Sequence, residues 1–162
     1  MNTQKKQQVK MFLRSLKQKN EILNRIIEIR VGIKEGLTFK QILIYAKAKY
    51  NSEQMREIHF GLVNGLSMEQ ISVYAKAEFD SKQMKEIRLG FKDGLSIEQV
   101  SIYAKPEYAS NQMKEIYLGL VYGLSMEQIS VYANPENDAN KMMQIRMSFG
   151  DEIIITSPNE IL

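Results

Sequence analysis

The sequence predicts an all-α protein, a solenoid of stacked helix-turn-helix repeats with a cap at each end. Eleven residues, GLSMEQISVYA, occur identically at 65–75 and 123–133, and near-copies lie at 36–46 and 94–104. The sequence also matches itself at a shift of 29 residues, without an insertion, over about residues 26–145. A fixed period of about 20 to 50 residues indicates supersecondary units that bury their apolar faces against their neighbours. By analogy with other helix-pair solenoids, we expect a right-handed array of about ten short helices.

The period divides the chain into the units of one domain. We predict a single helical-repeat domain over residues 1–162 that begins with a basic capping helix at residues 1–20. A partial repeat and a C-terminal cap are predicted at residues 138–162. Full repeats lie between them at residues 21–50, 51–79, 80–108 and 109–137.

Each repeat starts with a longer helix, here called helix A. Its predicted N-caps are serines, whose hydroxyl oxygen accepts a hydrogen bond from a free backbone N–H; they are Ser52, Ser81 and Ser110. The helix continues as Gln-Met-x-Glu-Ile-x-x-Gly-x-x-x-Gly, with the methionine and isoleucine on one inward stripe. The second glycine of this pattern is predicted to take a left-handed conformation that ends the helix. These glycines are Gly36, Gly65, Gly94 and Gly123.

A shorter helix, helix B, follows each helix A. It starts with a Ser/Thr-x-x-Gln capping box, in which the hydroxyl and the glutamine bond reciprocally to backbone N–H groups. These boxes are Thr38–Gln41, Ser67–Gln70, Ser96–Gln99 and Ser125–Gln128. Each helix B carries one tyrosine that is predicted to face inward: Tyr45, Tyr74, Tyr103 and Tyr132. The helices are predicted to end near Pro106 and Pro135, because a residue before proline avoids the α conformation.

The first glycine of the helix A pattern lies in mid-helix, where glycine costs about 1 kcal/mol relative to alanine. It recurs at Gly32, Gly61, Gly90 and Gly119. We predict that a helix B tyrosine approaches the backbone at each of these positions, so that no side chain fits there.

Both ends of the array are predicted to be capped. We interpret residues 3–19 as a basic helix equivalent to helix B, because Leu13 and Leu16 lie 29 residues before Ile42 and Tyr45. Asn20 is then predicted to cap the first helix A.

The other end is predicted to be closed by a plug. The repeat pattern fails after Phe149, and the tail offers an apolar segment at Ile153–Ile155 and a helix-start signal at Ser157–Glu160. We expect this tail to cover the last exposed face, because open repeat ends need a cap.

Composition predicts a soluble, cytoplasmic protein that does not enter a membrane. The chain has no cysteine, and no apolar run approaches the roughly 20 residues of a membrane span. Charge is divided unevenly, because residues 1–50 hold 12 Lys and Arg against 3 Glu, whereas residues 51–162 hold 10 against 16 acidic residues. This asymmetry favours an electrostatic partner for the basic end, and a solvated lysine-rich helix is the alternative.

The sequence does not predict an enzyme, a cofactor, a metal site or a small-molecule substrate. His59 is the only histidine, and its equivalents in the other units are arginine or tyrosine, so it is interpreted as a surface residue and not as a base. Ser67 and its equivalents are accounted for by capping. Glu28 and its equivalents are attributed to the helix dipole.

Positions that vary between units are predicted to be free for binding a protein or a protein–nucleic acid complex. On helix A they form an outward ridge that is mainly cationic, with aromatic interruptions. We predict the following partner-binding residues: Arg30, Lys34, Arg56, His59, Lys85, Arg88, Lys92, Lys114, Tyr117 and Tyr122. Helix B and the loop after it carry glutamates, so the opposite flank is predicted to be acidic.

Two functions fit this ridge. The first is a protein-binding scaffold, since helical solenoids offer long surfaces and tyrosine is a common interface anchor. The second is nucleic-acid binding through the ridge and the basic helix at residues 3–19. GLSxEQxSxYA is similar to the turn and second helix of a DNA-binding helix-turn-helix, but the link KPEYA before Ser110 is longer than the usual turn.

The unit QMKEIRLGFKDGLSIEQVSIYAKPE at Gln83–Glu107 resembles tandem 29-residue repeats in proteins of phages and conjugative elements of Gram-positive bacteria. The resemblance covers roughly residues 24–148 and carries no established catalytic or binding residue. Small proteins of such elements include antagonists of host defence. The resemblance therefore implies an inhibitor of a host defence system such as a CRISPR nuclease, acting in the host cytoplasm.

Overall fold

The computed structural model describes the backbone of residues 3–156 and the side chains of residue 7 and residues 10–149. This part of the chain forms nine α-helices and no strand, which confirms the all-α prediction. The chain divides into two compact units, Met1–Gly65 and Leu66–Leu162. The single domain and the unbroken stack of repeats stay predictions.

The first unit contains three helices. The longest of them, α1, packs against the other two, which also pack against each other. These helices are α1 (Thr3–Lys34), α2 (Phe39–Tyr45) and α3 (Ser52–Val63).

The second unit contains six helices, which alternate between short and long. The long helices α5, α7 and α9 pack side by side in that order, and the short helices lie against them. The six are α4 (Met68–Tyr74), α5 (Ser81–Lys92), α6 (Ile97–Ser101), α7 (Ser110–Val121), α8 (Met126–Tyr132) and α9 (Ala139–Thr156).

The predicted joint between helix A and helix B is confirmed. The glycine after each helix A has a positive φ between 79° and 88° at Gly36, Gly65, Gly94 and Gly123. All four capping boxes form, with the N-cap hydroxyl accepting from the glutamine N–H and the glutamine Oε1 accepting from the N-cap N–H. The repeated eleven residues therefore encode a helix stop and a helix start.

The N-caps of the long helices lie one residue earlier than predicted. Asn51 and Asp80 accept a hydrogen bond from the N–H of the glutamine three residues later, at 2.9 and 2.8 Å. Ala109 has no side-chain oxygen, and there only Gln112 bonds back to the N-cap N–H. The predicted caps Ser52, Ser81 and Ser110 are instead the first helical residues.

The predictions for residues 3–34 are wrong in two respects. Asn20 does not cap a helix, because α1 is one continuous helix of 32 residues. No glycine or proline lies between residues 3 and 31 to end it. Leu13 and Leu16 are exposed, so the start of α1 does not pack as a helix B.

At the C-terminal end, α9 continues past Phe149 to Thr156. The predicted plug at Ile153–Ile155 and the helix start at Ser157–Glu160 lie outside the residues whose side chains are described.

The core consists of the predicted inward residues. The four methionines and the four tyrosines that repeat at 29-residue intervals are fully buried. They are Met55, Met84, Met113 and Met142, and Tyr45, Tyr74, Tyr103 and Tyr132.

Three of these tyrosines reach the backbone of the preceding long helix. Each hydroxyl donates to a main-chain carbonyl that lies four residues before the mid-helix glycine. The pairs are Tyr45 with Glu28 O at 3.3 Å, Tyr103 with Glu86 O at 3.4 Å and Tyr132 with Glu115 O at 3.2 Å. A Cβ atom at Gly32, Gly90 or Gly119 would overlap the hydroxyl oxygen. The predicted close approach is confirmed at these three glycines, and it is the hydroxyl that makes it.

We predict that Gly90→Ala destabilises the protein by about 1–3 kcal/mol, although alanine is the better helix former. The reason is overlap with the Tyr103 hydroxyl, since the next nearest atoms, Leu95 Cδ1 and Tyr103 Cζ, both lie 3.3 Å from the added Cβ. In a Tyr103→Phe background the same substitution should therefore cost much less. Urea unfolding of the four chains of this double-mutant cycle measures the difference.

Gly94→Ala is the matched control. Its φ is +88° with open space around it, so alanine is strained by the backbone alone and its cost should not depend on Tyr103. Equal costs of Gly90→Ala in both backgrounds would contradict the overlap.

Alkaline pH should unfold the first unit partly through Tyr45. Burial, with smaller contributions from the Glu28 and Glu35 carboxylates, raises the pKa of Tyr45 from 10.0 to about 12. Because the folded state holds the phenol proton more tightly, this stabilisation is complete below pH 10 and is lost as the pH rises from 10 to about 12. The Tm of Tyr45→Phe should fall less than that of the unmodified chain over this range. Parallel Tm curves would exclude Tyr45 as the titrating group.

Candidate macromolecular interface

Two equivalent residues that we assigned to the outward ridge of helix A are buried. His59 is 1% exposed and Arg88 is 9% exposed, so the prediction that they face solvent is wrong. In the first unit the His59 ring lies between the carboxylates of Glu28, on α1, and Glu35, in the turn after α1. Nε2 lies 2.7 Å from Glu35 Oε2 and Nδ1 3.5 Å from Glu28 Oε2. These contacts leave His59 unavailable to a substrate.

Two equivalent residues of the second unit, Tyr117 and Arg146, also reach back towards the preceding long helix. Arg146 Nε and Nη2 both lie 2.9 Å from Glu115 Oε2. The half-buried Tyr117 donates its hydroxyl to the Asp93 carboxylate. Burial, together with the hydrogen bond to Asp93 and its charge, raises the pKa of Tyr117 to about 12. This position therefore joins neighbouring long helices.

Buried carboxylates explain why this position is polar. Glu28 is 6% exposed and Glu115 is 9% exposed, and a buried carboxylate without a cation is costly. Glu28 also pairs with Arg56, whose Nε lies 2.9 Å from Glu28 Oε1. The helix dipole does not account for these glutamates, because its effect fades within the first turn and Glu28 lies in the last third of α1.

The remaining predicted residues are exposed. Arg30 differs from its equivalents His59 and Arg88, because the side of α1 that carries it faces none of the helices described for the first unit. The exposed set is Arg30, Lys34 and Arg56 in the first unit and Lys85, Lys92, Lys114 and Tyr122 in the second.

Five exposed residues of the second unit form what we call the α5–α7 face: Lys85, Lys92, Lys114, Val121 and Tyr122. They lie on two long helices that pack against each other. Tyr122 is 66% exposed, and the Arg146 guanidinium carbon lies 5.9 Å from its ring centre. Within the described part of the chain, none of the three lysines has an ion-pair partner. The face combines available cations with aromatic and aliphatic surface.

The first unit has a shallow depression of about 320 Å³ on α1. Its four lining residues, Ile27, Arg30, Val31 and Lys34, belong to one face of a single helix. A depression of this kind suits a side chain of a partner better than an enclosed cofactor.

A larger polar groove of about 680 Å³ lies between α1 and the start of α3. The Glu21 carboxylate occupies the helix N-terminus there, since Ser52 N donates to Glu21 Oε1 at 2.6 Å and Ser52 Oγ to Oε2 at 2.9 Å. An anionic ligand at this end would compete with Glu21.

Exposed acids cluster on the short helices of the second unit. Glu69, Glu98 and Glu127 each lie in the first turn of a helix B, next to a serine N-cap. The Ser96 hydroxyl lowers the pKa of Glu98, and the backbone N–H of Glu127 itself lowers the pKa of that carboxyl. Glu98 and Glu127 therefore stay ionised, and the short helices carry acidic residues where the α5–α7 face carries lysines.

Among the described residues, no group of three or more His, Asp or Glu side chains could hold a metal ion. In the same part of the chain, no helix has the length and apolarity to cross a bilayer. Sequence reasoning missed the exposed apolar residues of the first half of α1, because it assigned Leu13 and Leu16 to a packed helix. The available signal was that these apolar residues recur at helical spacing with no glycine among them to end the helix.

Comparison with protein-family models, curated proteins and solved structures found no match to this chain. Its function is therefore argued from the side chains themselves.

We predict that Arg146→Met costs about 3–5 kcal/mol of unfolding free energy, because it leaves the Glu115 carboxylate buried without its cation. Adding Glu115→Gln should recover much of this loss. Lys114→Met, which removes an exposed cation from the same helix α7, is the control and should change stability by less than about 0.5 kcal/mol. Thermal and urea unfolding measure all four chains. A similar cost for Arg146→Met and Lys114→Met would show that the pair does not stabilise the fold.

Proposed function

We propose that this protein is a non-catalytic scaffold that binds a protein or nucleoprotein partner through the exposed faces of its long helices. The observation that supports this most is the α5–α7 face, where Tyr122 is exposed and Lys85, Lys92 and Lys114 have no ion-pair partner among the described residues. The scaffold itself is proposed to be a solenoid with a period of 29 residues, in line with the repeated joints and the repeated tyrosine contacts.

The chemistry of this face suits a large anionic partner. Lysines contact phosphate or carboxylate groups, whereas Tyr122 and Val121 add the apolar and aromatic area that anchors an interface. The only histidine is enclosed between Glu28 and Glu35, and we therefore assign no catalytic role to it.

The biological role that we propose is inhibition of a host defence system by a protein of a mobile element. Its support is the resemblance of the repeat to proteins of phages and conjugative elements. A CRISPR nuclease carries both nucleic acid and protein surface, so cations and an exposed tyrosine on one face suit such a target. The site of action would be the host cytoplasm.

The test is a triple variant, Lys85→Glu with Lys92→Glu and Lys114→Glu. Purified protein is titrated into a CRISPR nuclease loaded with guide RNA, and cleavage of target DNA is measured. We expect cleavage to stop near one equivalent of the unmodified chain and to continue with the triple variant, whose Tm should be nearly unchanged.

The matched control reverses charge at three exposed lysines outside the α5–α7 face, Lys47, Lys76 and Lys105, in the loops after helix B. It should inhibit like the unmodified chain. Absence of inhibition by the unmodified chain would remove the nuclease as the target, and equal inhibition by the triple variant would remove the α5–α7 face from the scaffold proposal.

The charge of the first unit favours nucleic-acid binding as a second function. Residues 1–65 hold 13 Lys and Arg against 5 Glu, a formal charge of +8. Lys10, Arg14, Lys17 and Lys19 are all exposed on α1. If about six phosphates are neutralised, the logarithm of the affinity for duplex DNA should fall with the logarithm of salt concentration at a slope near −5. A flat salt dependence would argue against this second function.

A further inference from the structure

The first unit exposes a continuous apolar stripe along α1, defined here by six side chains. Each is between 39% and 63% exposed, which is unusual for large apolar residues that follow one another on a single helix. The stripe consists of Phe12, Leu13, Leu16, Leu23, Ile26 and Ile27.

The stripe lies on the side of α1 that is turned away from the rest of the first unit. Glu28 and Gly32 are buried against α2 and α3 and mark the packed side. At about 100° per residue, the stripe lies roughly opposite them. No described helix of the first unit covers it.

The stripe has an internal symmetry. Its members fall into pairs whose residue numbers add up to 39, and these pairs are 12 with 27, 13 with 26, and 16 with 23. A two-fold axis that crosses α1 between Lys19 and Asn20 would place the members of each pair at the same height on two antiparallel helices. Such an arrangement is what a self-complementary interface between identical chains requires.

We propose that α1 of one copy pairs antiparallel with α1 of a second copy through this stripe, and that the protein is a two-fold dimer. Leu16 and Leu23 of the two copies face each other next to the axis. Phe12 of each copy lies level with Ile27 of the other, at the two ends of the stripe.

The cations of α1 permit this pairing. Lys10, Arg14 and Lys17 lie on the far side of the helix from the stripe, so they do not enter the interface. Lys19 lies within the stripe next to the axis, where it comes near Lys19 of the second copy. Arg30 and Lys34 lie in line with the stripe beyond Ile27. The two Lys19 side chains repel each other, and so do the two first units, each of which carries a charge of +8. Salt should weaken this repulsion.

The area is sufficient for a specific interface. If each of the six side chains loses roughly 100 Å², the pair buries about 1,200 Å² in total, the lower limit for stable complexes. The apolar area lies on either side of the axis, and Lys19 and Asn20 lie at the axis itself.

Analytical ultracentrifugation of the full chain at increasing protein and salt concentration tests the proposal. We expect the mass of two chains, with the dissociation constant falling as salt rises. Leu16→Glu with Leu23→Glu should give the mass of one chain, with the helical circular dichroism and the Tm retained. Lys10→Glu changes the net charge by the same amount on the far side of α1, and it should remain a dimer.

A third variant tests the orientation. Leu16→Glu with Leu23→Lys brings opposite charges level with each other in an antiparallel pair but equal charges together in a parallel pair. We expect this variant to dimerise. A monomer at all concentrations for the unmodified chain would overturn the proposal, as would a dimer that survives Leu16→Glu with Leu23→Glu. Dimerisation that weakens with salt would point to contact between the basic and acidic parts of two copies and would also overturn it.

Discussion

The hydroxyl of a buried tyrosine, set against the backbone of a long helix, is the contact on which the fold depends most. In three places it donates to a carbonyl that already belongs to the helical hydrogen-bond pattern. The short helix can come this close only because the long helix has a glycine there. The glycine is thus retained in mid-helix despite its low helix propensity, since any side chain would push the short helix away.

A second constraint is the carboxylate that α1 and α7 each bury against a neighbouring long helix. Glu28 and Glu115 need cations, and these come from the next long helix, as Arg56 and Arg146. The residue at the His59 position is consequently used for packing between helices, although it varies in type along the chain. Variation here reflects several ways to satisfy a buried acid, and not freedom to bind a partner.

These two constraints separate the residues that hold the fold from those that are available for function. Lysines on the outer side of α5 and α7 have no ion-pair partner among the described residues, and Tyr122 stands exposed beside them. The apolar stripe of α1 is likewise unused by the first unit. Both features cost solubility or conformational freedom without adding to the core, so contact with another molecule is the physical reason that we assign to them.

The sequence by itself determined the local structure. The glycine of positive φ and the Ser/Thr-x-x-Gln box depend on interactions within a few residues, and both were predicted correctly at every joint. The prediction of Ser52 as N-cap was wrong, because Asn51 and Ser52 can both cap a helix. The choice depends on Glu21, which lies 31 residues away and accepts hydrogen bonds from Ser52.

Only the tertiary structure decided which polar residues are buried. His59 and Arg88 look like surface residues in a helical pattern, and both are buried, His59 between Glu28 and Glu35. Leu13 and Leu16 look like core residues, and they are exposed because α1 extends beyond the helices that pack on it. In each case the outcome depends on which helix lies beside the residue, and periodicity along one chain does not contain that information.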